Sequence, residues 1–97
     1  MYLMFSGAIV TLEDFAGLTV REEKPLRIGQ TWHHVLLQPE GAIIVYASAS
    51  RLKAERYVTE VQKALKRGIS CGAEWIDFSR LPGYVEVGAV TLRGCDE

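Results

Sequence analysis

The chain has 97 residues, of which 48% are apolar and 24% charged, ordinary usage for one globular domain and not that of a disordered or low-complexity segment. Eleven Lys and Arg stand against twelve Asp and Glu, for a net charge of −1, so no global field draws the protein onto nucleic acid or anionic lipid. One α+β domain over residues 1–97 is expected.

In chain order, residues 1–12 form the most hydrophobic stretch. It lacks the basic flank of a secretory signal and is too short to span a bilayer before Glu13 and Asp14, which predicts a cytoplasmic protein with no membrane segment. Residues 2–12 and 18–22 read as strands around a turn at 13–17, with Gly7 as a bulge. Residues 24–30 carry no clear signal. Residues 31–37 and 42–46 read as two further strands, and the Pro39 and Gly41 of the link between them suit a short hairpin loop, so these two should pair antiparallel. The second of the two is apolar throughout and rich in β-branched residues, as a strand covered on both faces would be.

Residues 50–68 carry the clearest pattern. At about 100° per residue, Ala54, Tyr57, Val58, Val61, Ala64 and Leu65 fall in one arc, leaving Leu52 the lone apolar residue on the polar side. Ser50 is placed to cap the first free N–H groups and Gly68 to end the helix in a left-handed conformation, with Lys63, Lys66 and Arg67 complementing the C-terminal dipole. After the helix, residues 74–78 and 84–92 read as strands flanking a turn at Leu81, Pro82 and Gly83.

The order is therefore β-β-β-β-α-β-β: a mainly antiparallel sheet of about six strands with one amphipathic helix packed on one face. One helix covers one face only, yet the strands at 42–46 and 85–91 are apolar on both. The second face is buried either by the sheet curling into a half-barrel or by a second copy, and exposed apolar area of that size favours a homodimer through the sheet.

No residue spacing specifies a reaction, a metal or a cofactor. His33 and His34 are adjacent, but on a strand they point to opposite faces and cannot chelate one ion. Cys71 and Cys95 match no metal or disulfide framework and read as free thiols, though a bridge between them remains open. Cys71, a histidine (33 or 34) and Asp77 supply the residue types of a nucleophilic site, with nothing to show that they meet. Glycine-rich phosphate motifs are absent, Gly68 and Gly72 occurring singly.

One charge asymmetry stands out. Residues 51–67 carry six basic and two acidic side chains, a local charge of +4 against −5 for the rest. Lys53, Arg56, Lys63, Lys66 and Arg67 lie on the water-facing arc, where they solvate the helix or meet an anionic partner; no aromatic residue joins them there for base stacking, which argues against nucleic acid. Trp32, Tyr46, Trp75 and Tyr84 lie on strands and could line a small-ligand pocket. The leading expectation is a non-enzymatic interaction or accessory module acting as a homodimer, with a protein partner. The first alternative is a small-ligand or anion binder using the aromatic pocket or the basic helix face. A hydrolase-like enzyme comes third.

Overall fold

The computed structural model describes residues 1–25, 29–38, 43–81, 83 and 85–88. Its strands are β1 (Tyr2–Phe5), β2 (Ala8–Thr11), β3 (Leu18–Glu23), β4 (Trp32–Leu37), β5 (Ile43–Ser48), β6 (Trp75–Asp77) and β7 (Glu86–Gly88), with one helix, α1 (Arg51–Cys71), between β5 and β6. The class is α+β. In place of one sheet of about six strands there are two: sheet A in the order β2-β1-β6-β7, and sheet B in the order β3-β4-β5. Among the described residues neither closes into a barrel.

Residues 2–12 are not one bulged strand. The chain reverses at Ser6 and Gly7, pairing Phe5 with Ala8. Gly7 takes φ 89°, a conformation costly for any residue with a Cβ, so the glycine marks a hairpin turn. The expected pairing of β4 with β5 is present and antiparallel, with an irregularity at Val35 and Leu36; most of their link, 39–42, lies outside the described residues. β6 and β7 pair antiparallel as expected, while Pro82, Tyr84 and residues 89–97 of that hairpin lie outside the described set. β1 pairs parallel with β6, Tyr2 against Trp75, a contact no local pattern announces.

Ser50 caps α1, its side chain accepting from the Lys53 N–H at 3.3 Å, and the Ser50 N–H donates to the Ser48 hydroxyl at 3.0 Å. The helix runs past Gly68. Its buried stripe of Ala54, Tyr57, Val61 and Ala64 continues through Gly68 and Cys71, and the residue that ends it is Gly72, at φ 70° and ψ 35°. The Gly72 N–H donates to the Ile69 carbonyl at 3.3 Å and the Ala73 N–H to the Gly68 carbonyl at 3.0 Å, the two bonds of a Schellman stop. With the end at Cys71, no basic residue sits in the last turn, so the expected dipole partners lie upstream of it. Gly68 is small for a packing reason: a Cβ there would overlap the Ile76 side chain.

The two sheets and the helix share one core. Leu3, Phe5, Ile76 and Phe78 come from sheet A and its flank, Val35, Leu37 and Val45 from sheet B, and Ala54, Tyr57, Val61 and Ala64 from α1. The helix packs against β3, β4, β5 and β6 and thus touches both sheets. Among the described residues no helix is long and apolar enough to cross a membrane.

Candidate functional site

The short step from β5 to α1, Ser48 to Arg51, folds the helix back beside its own strand. Tyr46 of β5 meets Tyr57 of α1, their rings 4.8 Å apart and 2° from parallel. Beside this pair runs a groove of about 490 Å³. One wall is a single face of α1, carrying Lys53, Arg56, Glu60 and Arg67, and the other is formed by Leu81, Gly83 and Val85 of the β6–β7 link. Positions 53, 56, 57, 60 and 67 recur at helical spacing, which is why one face presents them together.

The charges on that face join no ion pair among the described residues. Ion pairs among the described residues are Arg21 with Glu23, Arg51 with Glu55 and Arg80 with Glu86; Lys53, Arg56, Glu60 and Arg67 join none of them. The lining therefore carries three cations and one carboxylate. Beneath them Tyr57 is 3% exposed, and its enclosed hydroxyl has no hydrogen-bond partner among the described residues. A buried hydroxyl without a partner costs about 1–3 kcal/mol, so most folded proteins satisfy or remove one.

Burial, with a smaller contribution from neighbouring Tyr46, pushes the Tyr57 phenol up to about 12. The hydroxyl thus stays neutral and able to donate throughout the physiological range. Because this value lies above the unfolded one of about 10, the unfolded chain loses its proton first. Its contribution to stability is complete below pH 10 and disappears as pH climbs through 12. Urea titrations should show the unfolding free energy falling by about 2–3 kcal/mol more across that window in wild type than in Tyr57→Phe; parallel curves for the two proteins would refute a buried Tyr57 phenol.

The structure thus gathers Tyr46, Lys53, Arg56 and Arg67 into one place. Lys63 and Lys66 are exposed on α1 but do not line the groove. Trp32 is 45% exposed at the start of β4, Trp75 lies across sheet A against Gly88, and Tyr84 lies outside the described residues. Tyr57 and Glu60 are the residues that sequence reasoning left out. Tyr57 was hidden within the apolar stripe, where its hydroxyl was the one signal that it differed from its neighbours.

His33 pairs across the sheet with Glu22 and Ser48, and His34 with Arg21 and Ala47, which puts the two histidines on opposite pleat faces. His33 borders a small polar pocket with Glu22, Arg51 and Glu55, and the buried Nδ1 of His34 has no partner among the described residues. Among the described residues no group of three or more His, Cys, Asp and Glu could hold a metal. The free thiol expected at Cys71 is not present. Cys71 is disulfide-bonded, and Cys95, the other cysteine of the chain, lies outside the described residues. In this state Cys71 offers no thiolate. Asp77 accepts from the Ser79 N–H at 2.9 Å and the Ser79 hydroxyl at 2.6 Å, bonds that hold its carboxyl below the usual range and close the turn after β6. Asp77 thus has a structural task of its own. No known family model matches the chain, and comparison with curated proteins and with solved structures finds no match.

Proposed function

We propose that the chain is a small non-enzymatic binding module whose groove along α1 takes an anionic ligand. The observation that carries this is the meeting, in one groove, of three cations that join no ion pair among the described residues. A carboxylate or phosphate there would gain charge-assisted hydrogen bonds from Arg56 and Lys53.

Thermal-shift and calorimetric titration with inorganic phosphate and citrate should show stabilisation that weakens with added salt. Lys53→Ala and Arg56→Ala should each weaken binding by about threefold to tenfold. Lys63→Ala and Lys66→Ala, outside the groove on the same helix, control for net charge and should change little. Equal losses from all four substitutions would reduce the effect to diffuse attraction and sink the assignment.

A second reading is self-association through sheet B, the protein acting as a homodimeric accessory. It is supported by Trp32 and Ile44, 45% and 44% exposed, which lie on the pleat face opposite Val35 and Leu37. Light scattering on the same samples separates the two readings: a chain that stays monomeric at high concentration removes the second.

A further inference from the structure

The charges in the groove are ordered. Lys53 and Arg56 stand near the start of α1 and Arg67 towards its other end, with Glu60 between them. At 1.5 Å per residue, Arg67 lies roughly 16 Å beyond Arg56 and about 21 Å beyond Lys53 along the helix axis. Along this wall the pattern is positive, negative, positive. On the facing wall the described side chains, Leu81 and Val85, are apolar, and Tyr46 adds a half-buried ring.

A compact anion such as phosphate reaches one end only and leaves Arg67 unused. A polyanion with a charge every few ångströms, a single-stranded nucleic acid for example, reaches both ends but sets a phosphate against Glu60. An extended peptide rises about 3.3 Å per residue, so two acidic side chains six positions apart are about 20 Å apart and point to the same side of the strand. Their spacing matches the two cationic ends, while uncharged residues between them pass Glu60 and lie against the apolar wall. Resting on the anion-binding reading above, we propose that the groove receives an extended acidic peptide segment whose two acidic groups lie about six positions apart. Glu60 is then the element that selects against continuous polyanions.

The test uses the full chain and fluorescence anisotropy with labelled, end-blocked peptides of equal length and charge. In one peptide two glutamates are separated by five serines, in the other by a single serine. The wide spacing should bind about threefold to fivefold more tightly, the size of one partly exposed ion pair. Arg67→Gln should abolish that difference, whereas Lys63→Ala, outside the groove, should preserve it. Glu60→Gln should raise the affinity for a short oligothymidylate more than for the wide-spaced peptide. If phosphate binds in a Lys53- and Arg56-dependent way but the two peptides bind alike, this inference falls and the anion site stands. A wild-type preference for the oligonucleotide over both peptides overturns it in favour of nucleic acid, and no binding of any probe ends both readings.

Discussion

Phe78→Ala is expected to lower the unfolding free energy by about 3–5 kcal/mol, as large-to-small changes at fully buried aromatic sites do. Phe78 is 1% exposed and stacks on Phe5 with ring centroids 5.0 Å apart; Phe5 in turn stacks on Phe15 at 5.9 Å. The three rings form a column that joins the β1–β2 hairpin, the turn after it and the end of β6. The Phe78 N–H also donates to the Met4 carbonyl at 2.7 Å, so the backbone there is held in place and has little freedom to close the cavity. A total stability of 5–15 kcal/mol is usual for a domain, which makes this one substitution a large fraction of the whole. Urea midpoints, with Phe78→Leu as the volume-sparing comparison, measure it. A loss under about 1 kcal/mol would show that the column is not part of the packed core.

Gly88→Ala should cost about 3 kcal/mol, the upper end of ordinary overpacking, although it adds one methyl group on a strand of sheet A. Gly88 pairs directly with Trp75, and a Cβ at position 88 would overlap the indole at Cζ2, Cε2 and Cη2. An indole is rigid, so it must leave its rotamer, whereas the methyl that a Gly68→Ala change brings against Ile76 meets the end of a more pliable side chain. The diagnostic is a double-mutant cycle. With Trp75→Ala already present the clash disappears, and Gly88→Ala should then cost at least about 1 kcal/mol less than it does alone. Additive effects would mean that the cost arises in the backbone and not at the indole.

What could be read from the chain followed the reach of each signal. The helix was legible because cap, stripe and stop are all local, and its start at Ser50 and its buried face agree with the structure. The helix ends four residues beyond the expected stop, because a glycine directly after the basic Lys66 and Arg67 has the features of a C-terminal cap. At Gly68 the missing side chain makes room for Ile76, and the periodicity continuing to Cys71 was the better guide. The strands expected at 18–22 and 31–37 match β3 and β4 to within a residue, whereas Ser6 and Gly7 lie inside an apolar run that hid the hairpin. Division into two sheets was beyond reach, since alternation shows which face of a strand is apolar but not which strand lies beside it. The groove was half visible. The basic helix face and Tyr46 were each identified, yet their meeting depends on how β5 leads into α1, and the Tyr57 hydroxyl stands out only once its surroundings are known.

The parallel pair of β1 and β6 has a consequence in time. Sheet B and α1 come from one continuous stretch, residues 18–71, with partners close in sequence. Sheet A must bring residue 2 against residue 75, and closing a loop of that length in an open chain costs on the order of 4 kcal/mol in entropy before any contact repays it. That cost shrinks once the intervening residues have collapsed into a compact unit. The topology therefore favours a sequence of events in which the β3-β4-β5-α1 unit forms early and sheet A closes over it late. Until then the hairpin of β1 and β2 holds Leu3 and Phe5 with no core to enter.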